Sequence, residues 1–137
     1  MYEDAKKLIQ DDEYSCVIVK NGNILHKQIG KGIKPLLELY KNYREDLNGA
    51  IVVDKIIGKA AASVIIVSGV KQVYAKKISK AGLTFLEQYK VTLEYDELVE
   101  YIENRDKTDL CPMEKTALPH QNAKDAFDAI LEFIKAQ

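Results

Sequence analysis

An aspartate, two lysines and a glycine stand together in the stretch "VVDKIIGKAAA", Val52 to Ala62. Asp54 and Lys55 lie in an apolar run, and Gly58 and Lys59 open an alanine-rich one. The stretch therefore reads as a strand turning into a helix. A helix N-terminus offers unpaired N–H groups and the positive end of a dipole, and both favour an anion. Lys55 and Lys59 would add positive charge there, and Asp54 is a candidate acid/base. The stretch is no triphosphatase loop, because that motif needs glycine where Val53 stands and Ser or Thr where Ala60 stands. A second stretch, "GKGIKPLL", carries Gly30, Lys31, Gly32 and Lys34 ahead of Pro35. Its glycines would let the backbone approach a ligand closely. The bland alternative is that Lys31 and Lys34 are solvated, Asp54 pairs with a lysine, and Gly58 only makes room for packing.

A third stretch, "ENRDKTDLCPMEK", sets Cys111 before a proline, with Glu114 and Lys115 following. A thiolate nucleophile needs its pKa lowered by a cation or a helix N-terminus. Arg105 or a lysine of the first stretch would do this if the segment folds over that corner, with Asp54 or Glu114 as acid/base. The alternative is a half-buried thiol in an ordering loop, since no partner base stands at a fixed spacing. Asn104 and Arg105 would clamp an anion, or Arg105 would tie the last helix to the sheet through a carboxylate. Cys111, Glu114 and His120 match no metal-site spacing, so no metal and no cofactor are expected. His26 reads as a surface or satisfied histidine on a strand, and Cys16, inside "CVIV", as core. For Tyr40, Tyr43 and Tyr74 core packing is the expectation, with stacking on a base as the alternative.

Composition limits the partners. Lys plus Arg number 20 against 21 Asp plus Glu, a net charge of −1. A dedicated nucleic-acid binder shows a strong basic excess, so no nucleic acid is expected. With 137 residues, 47% apolar and 30% charged, the chain suits one globular domain over residues 1–137. Two cysteines far apart make no disulfide framework. The start "MYEDAKKLIQDD" lacks an apolar signal-type core, and the longest apolar stretch, Ala60 to Val67, is too short to span a bilayer. A cytoplasmic protein with no membrane partner is the expectation.

The elements that would position these residues follow from periodicity and punctuation. Glu3 to Asp11 reads as a short amphipathic helix with acidic residues at its start. Asn21-Gly22 is the strongest short hairpin signal, so Tyr14 to Lys20 and Asn23 to Gln28 should pair antiparallel. Pro35 suits a first helical turn, and Ile33, Leu36, Leu37 and Tyr40 recur at helical spacing. "AIVVD" is a buried strand, Gly58 to Ser68 a buried helix, and "KQVYAK" and "KVTLEY" are strands. Ser79 caps a helix carrying Leu83, Leu86 and Tyr89. Asp96 is expected to cap a short helix through Ile102, and Asn104 to Gln121 to form a long loop. Asn122 caps a terminal helix with Phe127, Ile130, Leu131 and Ile134 on one stripe. After the hairpin, strands and helices alternate, which predicts right-handed crossovers and parallel later strands. The expected fold is α/β: three α-β-α layers around a mixed five-stranded sheet with an N-terminal hairpin. In such a sheet the helix N-termini near Pro35 and Gly58 would lie at the carboxyl ends of strands, where open α/β sheets place ligands.

A hairpin followed by alternating helices and strands resembles the cytidine-deaminase-like fold. In that superfamily the helix after the hairpin opens with His/Cys-x-Glu and the next with Pro-Cys-x-x-Cys, which hold zinc and a general acid/base. The corresponding stretches here, "GKGIKPLL" and "VVDKIIGKAA", contain neither His nor Cys. Zinc-dependent deamination requires those ligands, so that mechanism is rejected. The segments "NGNILHKQIGKGIKPLLELY", "GAIVVDKIIGKAAA", "ISKAGLTFL" and "IENRDKTDLCPME" resemble the domain of unknown function 1893 family, a zinc-less branch of this fold. They occur in the family's order from about residue 14 to 115. The resemblance implies a fold and a site region, and no reaction.

Three functions fit these residues. One is a module that binds an anionic small molecule, nucleotide-like or phosphorylated, through Gly30, Lys31, Gly32, Lys34, Lys55, Gly58, Lys59, Asn104 and Arg105. Another is an enzyme or redox-responsive protein using Cys111 with Asp54 or Glu114. The third is an interaction protein with a vestigial pocket. The terminal helix or an edge strand is where a homodimer would pair symmetrically.

Overall fold

The computed structural model describes residues 2–104 and 106–137. Asn21 and Gly22 both take positive φ, 53° and 78°, which a two-residue hairpin turn demands. They join β1 (Cys16–Lys20) to β2 (Asn23–Gln28) after α1 (Glu3–Gln10). The chain continues through α2 (Lys34–Leu47), β3 (Ile51–Ile57), α3 (Lys59–Val67), β4 (Gln72–Ser79), α4 (Lys80–Gln88) and β5 (Thr92–Val99). It closes with α5 (Pro112–Ala117) and α6 (Ala123–Lys135).

The sheet order is β2-β1-β3-β4-β5. β1 runs antiparallel to both neighbours, while β3, β4 and β5 are parallel. One row of paired residues, Gln28, Cys16, Asp54, Ala75 and Tyr95, crosses all five strands. That register brings the carboxyl ends of β2, β3 and β4 to one rim. The helices that follow them, α2, α3 and α4, therefore all begin at that rim.

The alternation of side chains divides the strands between two cores. Val17, Val19, Ile51, Val53 and Tyr74 pack against Ala5 and Ile9 of α1. Cys16, Ile18, Val52, Val73 and Ala75 face α2, α3, α4 and α6. Ala60 to Ile65 are all buried, so α3 is the central helix of the thicker layer, as its apolar circumference predicts. Both expected caps form: the side chains of Ser79 and Asn122 accept from the N–H groups of Gly82 and Asp125. His26 is satisfied, its Nε2 2.8 Å from Asp46 and its ring stacked on Tyr43. Tyr40 packs edge-on against Phe127, and Tyr74 is fully buried.

Tyr43, expected in the core, is instead exposed, its ring covering His26 at the surface, and two expectations about elements fail. The segment from Asp96 to Val99 is not a helix: β5 continues through it in register with β4, Ser79 opposite Val99. Tertiary pairing overrides the local cap signal, because Asp96 accepts from Gln10 and from Tyr74, and Glu94 from Tyr2 and Lys6. The long loop before α6 is also broken, by α5. Pro112 sits in its first turn and Glu114 is buried, a start signal that the surrounding polar residues obscured.

Candidate functional site

Gly58 is the N-cap residue of α3 and supplies no side-chain cap. The cap comes from elsewhere in the chain. The Glu114 carboxylate accepts the Lys59 N–H at 2.8 Å and the Ala60 N–H at 2.7 Å, one oxygen to each. Glu114 is 4% exposed. A Cβ built on Gly58 would overlap that carboxylate, so glycine is the residue that lets it dock. Gly82 allows α4 the same close approach, since a Cβ there would lie 3.0 Å from the Gly58 carbonyl carbon. Lys59 then reaches back, donating from Nζ to the Leu118 carbonyl at 3.0 Å beyond the end of α5, and lies 4.8 Å from the Phe85 ring centre. The α3 tip does attract an anion, and the chain supplies it.

Burial dominates the electrostatics. It raises the Glu114 carboxyl, against the pull of the two backbone donors and of Lys59. It lowers Lys59, against the Glu114 charge. Asp54 is also buried, opposite Cys16 in the sheet. Its carboxyl is pushed up to about 7 by burial, opposed by the Lys55 and Ile56 N–H groups and the Cys16 thiol. Burial and the neighbouring Asp54 charge raise the Cys16 thiol as well. Among the described residues Asp54 pairs with no lysine: its neighbour Lys55 meets Asp12 at 3.2 Å.

The α2 tip is different. Its N-cap, Ile33, offers no side-chain hydrogen bond, and no acidic residue stands in the first turn. The loop before it is pinned by Ser15, whose hydroxyl donates to the Gly30 carbonyl at 2.7 Å and accepts the Gly30 N–H at 3.2 Å. Gly30 presses on Pro35, where a Cβ would lie 2.9 Å from Cγ, and Gly32 takes φ +62°. The result is a cavity of about 550 Å³ lined by Gly30, Lys31, Lys34, Pro35 and neighbouring residues of β2 and α2. Lys31 and Lys34 make no ion pair among the described residues.

The residues singled out by type thus fall into separate groups. Gly30, Lys31 and Lys34 share the α2-tip cavity. Gly58, Lys59 and Glu114 converge on the α3 tip. Lys55 belongs to the α1 face of the sheet through Asp12. Cys111 is the half-buried N-cap residue of α5, held by its N–H to the Ile102 carbonyl at 2.9 Å. Asn104 stays within its own turn, bonded to the Thr108 N–H and hydroxyl at 3.1 and 3.2 Å. Arg105 lies outside the described residues. Among the described residues, no group of three or more His, Cys, Asp or Glu side chains would hold a metal ion. No helix among them is long and apolar enough to cross a membrane.

Sequence reading missed the partnership of Glu114 with the α3 tip. Its only local trace is Pro112 followed by an acid in the next turn, which marks a helix start without naming the helix it serves.

Residues 4–134 match the profile described as domain of unknown function (DUF1893), TM1506. A crystal structure of a DUF1893 family protein (TM1506) from Thermotoga maritima is similar at a TM-score of 0.85 and 28% identity, covering 96% of this chain and 88% of that one. A diaminohydroxyphosphoribosylaminopyrimidine deaminase/5-amino-6-(5-phosphoribosylamino)uracil reductase from Thermotoga maritima is similar at a TM-score of 0.50 and 18% identity, over 77% of this chain and 34% of that one. The dCMP deaminase of cyanophage S-TIM5 has a TM-score of 0.49 and 19% identity, over 69% of this chain and 93% of that one. No curated protein matches the chain.

Proposed function

The chain belongs to the DUF1893 (TM1506) family, and from that premise we propose that it is a deaminase-fold protein, lacking zinc ligands, that binds an anionic small molecule at its rim. The molecule is nucleotide-like or phosphorylated. One observation carries this reading: the uncapped α2 N-terminus opens on a cavity of about 550 Å³ that Lys31 and Lys34 flank. The N–H groups of the first turn and two lysines outside any ion pair favour negative charge there. The α3 tip supports the same preference, because it already holds a carboxylate. Glu114 removes that tip from competition, so an incoming anion is directed to α2. Asp54 is buried against Cys16 and the N–H groups of its own strand and takes no part in this cavity.

Heat denaturation in the presence of inorganic phosphate and of adenosine monophosphate tests this. Either ligand should raise Tm with saturation, reaching about 2.7 kcal/mol of stabilisation at a hundred times Kd. The double variant Lys31→Ala/Lys34→Ala should lose most of that shift, and Lys55→Ala should keep it. An unchanged Tm with every anion, or an equal shift in the double variant, overturns the reading.

A further inference from the structure

A second cavity, of about 580 Å³, lies on the other side of the same helix, between α2, α5 and α6. Its size is within the roughly 300–1,000 Å³ of small-molecule sites. Ile33, Leu37, Tyr40, Met113, Leu131 and Ile134 make its floor and walls. They are half-buried or, in Ile134, 37% exposed, so the chain itself leaves this apolar surface uncovered. Three basic side chains, Lys34, Lys41 and Arg44, stand around it with one acidic side chain, Glu38, and with Gln137, the last residue of the chain described. None of the three cations makes an ion pair among the described residues. The Arg44 guanidinium lies 4.5 Å from the Tyr40 ring centre, a cation–π contact at the edge of the groove.

We propose that this groove is a binding site for an amphipathic anion: an apolar chain or ring of medium length carrying one carboxylate or phosphate head. The apolar body matches the floor, and the head matches a cationic rim that the protein's own acids do not neutralise. A neutral apolar ligand would leave that rim unused. The site shares only Lys34 and Glu38 with the α2-tip cavity, so the two stand or fall separately.

Methionine labelling tests the groove, because the chain has two methionines, Met1 and Met113. The protein labelled with ¹³C at the methionine methyls is titrated with decanoate below its micelle concentration, and with decanol as the neutral control. Decanoate should shift the Met113 signal with saturation and leave Met1 in place. Lys41→Ala/Arg44→Ala should weaken decanoate about tenfold, as loss of about 1.4 kcal/mol does, and leave decanol unchanged. Ile134→Glu, at an exposed position, should abolish decanoate binding while the phosphate-induced Tm shift persists. No saturable Met113 shift overturns the proposal. So does equal binding of decanol and decanoate, or a Met113 signal that moves with protein concentration alone.

Discussion

Asp54 and Glu114 sit at the same end of the molecule, and burial raises both carboxyls. Their surroundings give them different work. Glu114 accepts two backbone N–H bonds and acts as a cap. Asp54 faces a thiol and the N–H groups of its own strand, and its carboxyl rises from an ordinary 3.8 to about 7. A folded carboxyl raised above its unfolded value binds more protons than the unfolded chain across that interval. Its contribution is complete below about pH 4 and is lost as pH rises through about 7. Asp54→Asn, which stays uncharged, should therefore flatten the fall of Tm between pH 4 and 7 relative to the parent protein. A difference in slope of the opposite sign contradicts this assignment. The residue types at this end were legible in the sequence: an acid beside Gly58, and lysines near two glycine-bearing turns. Their partners were not, because Cys16 meets Asp54 across a strand pairing whose register no local pattern states.

At the scale of elements, α5 is the piece that distinguishes this rim. It is six residues long, yet it closes the start of α3 and lines the groove beside α2. Glu114 closes the α3 tip, and the preceding Met113 lines the groove with Ile33 and Lys34 of the α2 tip. Lys59 holds the far end through the Leu118 carbonyl. Removing the carboxylate leaves two inward-facing N–H groups without their partner, so Glu114→Ala should cost about 2–4 kcal/mol. Glu114→Gln keeps the shape and one acceptor oxygen, and should cost less. Gly58→Ala displaces the same carboxylate from the other side. The two substitutions act on one contact, so the double variant Gly58→Ala/Glu114→Ala should be less destabilised than the sum of the singles in urea denaturation. Simple additivity contradicts the cap. The helices with a capping residue in their own sequence, α4 and α6, begin where the sequence places them. The α3 cap lies 54 or more residues away, which is why periodicity found the helix and not what closes it. β5 shows the same limit in reverse: a local cap signal at Asp96 gives way to pairing with β4 and to bonds reaching α1.

At the scale of the whole molecule, the hairpin and the parallel run place the turns before α2, α3 and α4 at one rim. That much was readable, because Asn21-Gly22 fixes the first pairing and alternating strands and helices fix the handedness of the rest. The uneven layering was less so: α1 packs on one face, and α2, α3, α4 and α6 crowd the other. This crowding brings α5 onto the α3 tip and leaves the outer flank of α2 apolar and cationic. The α/β fold is similar to deaminase folds, and its α3 tip carries Gly58, Lys59 and a docked carboxylate. One tip is closed from within, and the other faces solvent between two lysines. Amide spectra recorded during titration with inorganic phosphate separate these two tips residue by residue. The N–H signals of Gly32, Lys34 and Leu36 should move with saturation while those of Lys59 and Ala60 stay fixed. Movement at Lys59 and Ala60 with none around Lys34, or no saturable movement at either tip, would contradict the account.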